Sequence, residues 1–210
     1  SGVIETELLE AGVNVPIHRL PDPIDFERIA GTVAADRGEI VWAAQGAETA
    51  EVDIVLLSLA ELRDRAWRGV LLGPMGDPRS VREAVDDLGL SDRVTVLDRV
   101  HPRERIAIYR GARVFIQTTP VSPFPTELLI AMAAGCVGVV QYQEYSSAHE
   151  LVERSRTGEL ISTPEELADA VESASHREPR DLDERYRSYD GGAIASQLVT
   201  AYRSALERGS

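Results

Sequence analysis

Two segments of the chain combine small or hydroxyl-bearing residues with the predicted start of a helix. One is the loop Gly-Pro-Met-Gly at 73–76, and the other is Pro-Phe-Pro-Thr at 123–126. Helix N-termini present backbone N–H groups that have no intrahelical partner, and these groups favour phosphate and other anions. Either segment could therefore bind a phosphate or a ribose. The alternative to ligand binding is a tight turn for the first segment and an ordinary helix start for the second.

Five apolar runs predict the β-strands that position these segments. The runs are rich in Val and Ile, and most show no alternation of apolar and polar residues, which is typical of strands buried on both faces. They cover residues 39–44, 69–73, 94–98, 114–119 and 137–142. Helical patterns at 51–65, 78–88, 102–110 and 126–134 separate the runs, which predicts right-handed crossovers and a parallel sheet. Ligands of such sheets bind beyond the carboxyl ends of the strands, where both segments fall.

The C-terminal part is predicted to be mostly helical, over 164–174, 182–188 and 193–208. Thr163 to Glu166 have the pattern of a capping box, and Pro179 falls in the turn between the first two helices. We predict an α/β fold with a doubly wound, Rossmann-like parallel sheet and a helical C-terminal appendage. Residues 1–30 would form an initial helix and interdomain link, 31–162 the Rossmann-like domain, and 163–210 the C-terminal helices.

Composition excludes several classes of function. The formal net charge is -13, and all 22 basic residues are Arg, which argues against nucleic acid or an anionic membrane as the main partner. No apolar run reaches the roughly 18 residues of a transmembrane segment, and we expect a cytoplasmic protein. The single Cys136 cannot form an internal disulfide and is predicted to be buried. We predict no metal and no cofactor. The four His residues lie far apart, without metal-ligand spacing. We place His101 in a surface turn, with contact to a nucleobase as the alternative.

The stretch PFPTELLIAMAAGCVGVV at 123–140 resembles a stretch of the form FP-x-x-LLEAMAAG-x-P-VV in retaining GT-B glycosyltransferases of the family 4 (group 1) type. It lies in their C-terminal domain. Other similar blocks follow the same order, including PIHRLPDPIDFERI at 16–29, VLLGPMGDP at 70–78 and SRTGELI at 155–161. The resemblance covers nearly the whole chain. It implies a domain that binds a sugar-nucleotide donor for retaining transfer, with the acceptor on an N-terminal domain that is missing here.

The resemblance also implies where the donor would bind. The expected donor-binding residues, with no catalytic residue among them, are Gly73, Gly76, Arg99, Thr118, Thr119, Ser122, Thr126 and Glu127.

Four positions depart from the family pattern. The family has an Arg and a Lys after the first strand, which hold the diphosphate, and two Glu eight residues apart, which contact the donor sugar and the ribose. The matching positions here are Ala44, Ala50, Ser122 and Ile130. Arg99, Arg103 or Arg110 could replace the lost cations, and Glu127 could take a shifted role.

Three functions are compatible with these patterns. The first is the donor half of a glycosyltransferase that uses a UDP-, GDP- or ADP-linked sugar in glycan, glycolipid or polysaccharide biosynthesis, the chain alone being inactive. The second is a non-catalytic scaffold or partner module that has lost donor binding, which the four departures favour. The third is another doubly wound domain of the response-regulator kind, whose acidic cluster and downstream Lys are absent here. The overall resemblance favours the first.

Overall fold

A computed structural model describes residues 2–44, 49–62, 66–122, 124–178 and 181–208. The end of the predicted helix at 63–65, the side chain of Ala50 and Pro179 lie outside the described residues. Within the described part of the chain, no helix has the length and apolar character needed to cross a membrane.

A six-stranded parallel sheet forms the centre of the fold, and a separate pair of two-residue strands lies beside it. The strands in chain order are β1 (Ile40–Ala43), β2 (Gly69–Leu72), β3 (Val94–Leu97), β4 (Val114–Gln117), β5 (Val121–Ser122), β6 (Val137–Gln141), β7 (Tyr145–Ser146) and β8 (Glu159–Ile161). The order across the large sheet is β3-β2-β1-β4-β6-β8, and β5 pairs with β7. Every ladder is parallel. The doubly wound α/β prediction is therefore confirmed.

Helices cover both faces of this sheet. The described α-helices in chain order are α1 (Gly2–Glu10), α2 (Phe26–Ala30), α3 (Thr49–Glu61), α4 (Pro78–Asp87), α5 (Pro102–Gly111), α6 (Thr126–Ala133), α7 (Ala148–Ser155), α8 (Leu167–Ser175) and α9 (Gly191–Arg208). Buried side chains of α3, α4 and α8 pack on one face, and those of α2, α5, α6 and α7 pack on the other. Successive β1 residues alternate between the two layers, as the pleat requires.

The chain reverses its direction across the sheet between β1 and β4. From β1 it winds outward to β2 and β3, and it then returns to the other side of β1 to add β4, β6 and β8. The helices that follow these two strands, α3 and α6, pack on opposite faces of the sheet, which opens a crevice at the carboxyl ends of β1 and β4. This crevice is the position at which doubly wound sheets bind their ligands.

The predicted elements differ from the observed ones mainly in the second half of the chain. The five predicted strands are present, each shortened by one or two residues. The sequence reasoning missed the edge strand β8 and the helix α7. The predicted helix at 182–188 is instead the 3-10 helix Glu184–Tyr189, and the helix predicted from 164 begins with a 3-10 turn, Pro164–Glu166, behind the Thr163 capping box.

Candidate functional site

A pocket of ≈ 360 Å³ lies at the crevice between β1 and β4. Ala43 ends β1 and Gln117 ends β4, and both contribute to its floor. Its other walls come from the segment after β4 and from the first turn of α6. We call this cavity the crossover pocket, and its position agrees with the general rule for ligand sites in this type of sheet.

The first turn of α6 closes one side of the crossover pocket. The helix forms because Leu128, Leu129 and Met132 share a buried face against the sheet. Gly138 on β6 allows this close packing, since a Cβ atom there would lie 2.9 Å from Leu128 Cδ1. The N-cap residue of α6, Pro125, makes no side-chain capping hydrogen bond. The Thr126 hydroxyl, which lines the pocket, donates to Asp22 Oδ2 at 3.3 Å.

The structure brings four of the eight expected donor-binding residues together. These four, which all line the crossover pocket, are Thr119, Ser122, Thr126 and Glu127. Of the described lining residues, none carries a positive charge, and Glu127 is the one with a negative charge. The pocket therefore offers hydroxyls and a helix N-terminus to a ligand, but its described wall offers no cation.

The other four expected residues lie outside this lining. Thr118 is 5% exposed and accepts a hydrogen bond from Trp42 Nε1 at 3.2 Å, so its hydroxyl faces the core. The Arg99 side chain is 93% exposed, with its Nε 3.7 Å from the Asp98 carboxylate.

The two loop glycines, Gly73 and Gly76, differ from each other. A Cβ on Gly73 would lie 2.2 Å from the carbonyl oxygen of Asp98, so packing between β2 and β3 explains this glycine. Around Gly76, by contrast, no heavy atom of the described residues beyond its two chain neighbours lies within 4 Å of the position a Cβ would take. The loop therefore requires a glycine for packing at one position only.

Glu127 is held by two partners that sequence reasoning missed. The Tyr109 hydroxyl donates to Glu127 Oε2, and Arg105 Nη1 lies 3.4 Å from Glu127 Oε1. Arg105 also donates through Nη2 to the Gly73 carbonyl. The pKa of Tyr109 is raised well above its ordinary value, chiefly by burial and secondly by the Glu127 carboxylate. The hydroxyl therefore stays protonated and donates. Burial lowers the pKa of Arg105 and the Glu127 carboxylate raises it, with a net rise, so the guanidinium is charged at neutral pH.

A second pocket, of ≈ 380 Å³, lies between α2, α5 and α6. Its walls are mainly apolar and include Ile24, Ile29, Val100 and Pro102. We call it the apolar pocket. Of the described lining residues, Glu127 is common to both pockets.

The positions that depart from the family pattern have distinct environments. Ala44 is 1% exposed and belongs to the core layer under α3. Ser122 lies in the crossover pocket, and Ile130 lines the apolar pocket. Of the possible replacement cations, Arg110 Nη1 donates to Ala134 O at 3.3 Å, and Arg103 is exposed outside both linings.

The remaining candidate groups have structural roles. His101 is the N-cap of α5, where its Nδ1 accepts from the Arg103 backbone at 3.3 Å. Cys136 is fully buried and donates to Tyr109 O at 3.2 Å, as predicted for a small core residue. Over the described ranges, no group of three His, Cys, Asp or Glu residues could hold a metal ion.

The strand order, the two helix layers and the crossover pocket define a Rossmann-like domain. The chain belongs to the family of group 1 glycosyl transferases, whose family model matches residues 37–176. A curated relative, the D-inositol 3-phosphate glycosyltransferase of Corynebacterium glutamicum (strain R), is 26% identical over 142 residues, which are 64% of this chain and 34% of that protein.

Two solved structures are similar in fold. Anabaena Alr3699/HepE, crystallised in complex with UDP-glucose, has a TM-score of 0.70 and 18% identity, over 97% of this chain and 62% of that one. The C-terminal domain of the group 1 protein LpcC from Francisella tularensis has a TM-score of 0.56 and 14% identity, over 85% of this chain and 98% of that one. The chain thus spans about a third of its curated relative and nearly all of an isolated C-terminal domain. These comparisons confirm the glycosyltransferase C-terminal domain, do not favour the scaffold alternative, and exclude the response-regulator alternative.

Proposed function

We propose that this chain is the donor-binding domain of a retaining glycosyltransferase and that it binds a nucleoside diphosphate sugar at the crossover pocket. The observation that carries the proposal is the position of this pocket, at the strand reversal and against the first turn of α6. A diphosphate there would meet the amide groups of α6. The hydroxyls of Thr119, Ser122 and Thr126 suit the hydroxyl groups of a sugar.

In this proposal, another domain supplies the binding site for the acceptor. The acceptor, a glycan or a lipid, would bind on a separate N-terminal domain, so we expect the 210-residue chain alone to bind the donor and to transfer no sugar. The donor would be linked to UDP, GDP or ADP, and the transfer would occur in the cytoplasm as a step of glycan, glycolipid or polysaccharide biosynthesis.

We expect donor binding to be weak. A charge-assisted hydrogen bond contributes roughly 1.5–3 kcal/mol, and the family's Arg position is the buried Ala44 in this chain. Loss of two such contacts would lower the affinity on the order of 100-fold or more. The high negative charge of the chain also repels the nucleotide, and salt screens this repulsion.

Thermal denaturation of the chain with UDP, GDP, ADP and their sugar conjugates, each at about 10 mM and at low and high salt, tests the proposal. A ligand at about 100 times its Kd stabilises the folded state by about 2.7 kcal/mol, which raises the Tm by about 5 °C or more in a chain of this size. The double variant Thr119→Val/Thr126→Val should lose this rise. The control Thr95→Val, on the exposed face of β3, should keep it. A cooperative transition that none of these ligands moves would contradict the proposal.

A further inference from the structure

Helix α1 has a well-defined end but no buried residue. It ends in a Schellman motif, in which Val13 N donates to Leu8 O at 3.0 Å and Gly12 takes the left-handed conformation (φ 84°). A helix of nine residues is marginal in water by itself, because its nucleation is costly. Burial of apolar side chains is the usual source of helix stability in proteins, and α1 lacks it. The position of α1 on the domain therefore depends on polar contacts.

Glu150, in the first turn of α7, makes several of these polar contacts. Its Oε1 accepts from Gly2 N, at the start of α1, at 2.9 Å. Its Oε2 lies 2.8 Å from Arg154 Nη2 and 3.9 Å from Arg19 Nη1. Arg19 also donates through Nε to Glu5 of α1. We call Glu5, Arg19 and Glu150, together with Gly2 N, the charge clasp. Its central carboxylate joins α1 and the segment after α1 to α7.

The charge clasp is partly exposed to solvent. The side chains of Arg19, Glu5 and Glu150 keep 48%, 26% and 20% of their surface exposed. Exposed ion pairs contribute little to stability, and salt screens them. The first buried residue of the described chain is Ile24, which is 4% exposed and donates through its N–H to Tyr189 O at 2.9 Å. The segment before Ile24 is therefore held less firmly than the rest of the domain, and its attachment weakens as the ionic strength rises.

We infer that residues 2–20 form a strap that the charge clasp fastens to α7, and that this strap detaches as a unit when the clasp opens, with Ile24 as the point about which it moves. Its detachment depends on ionic strength and not on a nucleotide. In the two-domain enzyme of the proposed function, the strap would lead from the preceding domain. Opening of the clasp would then change the position of that domain relative to the crossover pocket. This consequence rests on the proposed function, whereas the strap itself does not.

Hydrogen exchange of the 210-residue chain, followed by mass spectrometry at about 20 mM and about 500 mM NaCl, tests the strap. The amides of α1 should be protected at low salt and should exchange about tenfold faster at high salt, whereas those of the buried strand β4 should not change. Glu150→Gln should have a similar effect at low salt. Arg19→Gln should have it too, and the double variant should add little to either single variant, because the two residues act through one set of contacts.

A distance measurement shows whether the strap leaves α7. Because Cys136 is fully buried, spin labels react selectively with two introduced cysteines, Glu7→Cys in α1 and Asp169→Cys on the exposed side of α8. The distribution of distances between the labels should be narrow at low salt. It should become broad at high salt, and also at low salt when Glu150→Gln is added.

The matched control is Glu153→Gln, which removes the same charge from the exposed face of α7 and should leave both measurements unchanged. Equal effects of Glu150→Gln and Glu153→Gln would overturn the clasp, and so would an α1 without protection in the unsubstituted chain at low salt. Protection of α1 that neither salt nor Glu150→Gln reduces would overturn the detachment of the strap. None of these outcomes bears on donor binding, which thermal denaturation with nucleotides tests separately.

Discussion

Replacement of Gly73 by alanine tests whether this glycine is required for packing or only for the approach of a ligand. The added Cβ would lie 2.2 Å from the Asp98 carbonyl oxygen and 2.8 Å from the Cα and carbonyl carbon of the same residue. These atoms belong to the backbone, so no side-chain rotation can relieve the overlap. The ends of β2 and β3 must separate by about 1 Å, which weakens the bonds from Gly73 N to Leu97 O (2.8 Å) and from Met75 N to Asp98 Oδ1 (3.1 Å).

The expected cost combines these effects. Two weakened hydrogen bonds cost about 1 kcal/mol in total and overpacking costs about 1–3 kcal/mol, so Gly73→Ala should lower the free energy of unfolding by about 3 kcal/mol. Urea denaturation followed by circular dichroism measures this value, and the Tm should fall by about 6–12 °C.

The control is Gly76→Ala in the same loop. Its Cβ would meet no heavy atom within 4 Å in the described structure apart from its chain neighbours, so Gly76→Ala should leave stability unchanged or raise it by about 0.4–1 kcal/mol. If the two variants were equally stable, the packing explanation for Gly73 would be refuted.

The remaining predictions concern the buried thiol of Cys136 and the carboxylate of Asp190. Because burial raises the pKa of the Cys136 thiol from 9.0 to about 12, a thiol reagent at pH 8 should label the folded chain at least about a thousandfold more slowly than the unfolded chain. Between pH 9 and 12 the unfolded thiol ionises while the buried one does not, so the free energy of unfolding should fall as the pH rises, and less so in Cys136→Ala. Asp190 accepts from Phe26 N at 3.2 Å and from Gly192 N at 3.1 Å, so Asp190→Ala should cost about 1–2 kcal/mol in urea denaturation. Glu83→Ala, on the exposed face of α4, should change stability by less than about 0.5 kcal/mol. An equal loss in the two variants would contradict the contribution of the two hydrogen bonds to Asp190.

The central strands could be predicted because each is buried on both faces and therefore reads as an uninterrupted apolar run. The edge strand β8 has no such run, since Glu159 and Leu160 are partly or fully exposed and only Ile161 is buried. Helix α7 did carry a signal. Its buried residues Ala148, Leu151, Val152 and Ser155 follow helical spacing, and a longer window over this segment would have found it.

The site was predicted less completely than the fold because it depends on side-chain direction. Thr118 and Thr119 are adjacent hydroxyls in the sequence, but only the structure shows that the first faces Trp42 and the second faces the crossover pocket. Arg105 and Tyr109 belong to no recognisable motif. Their relation to Glu127 arises from the packing of α5 against α6, which brings together residues 18 and 22 positions apart. The division of the chain at residues 30 and 162 stays a prediction.

The distribution of the aromatic residues has a spectroscopic consequence. Both tryptophans of the chain, Trp42 and Trp67, lie in the core layer under α3, α4 and α8, whereas Phe26, Tyr109 and Phe115 lie in the layer under α6. Intrinsic tryptophan emission therefore reports on the layer that faces away from the crossover pocket. Trp42 is linked to this pocket in two ways, because its indole donates to Thr118 and because the next residue of β1, Ala43, lines the pocket. A change in emission on nucleotide binding would thus indicate a movement at the carboxyl ends of β1 and β4.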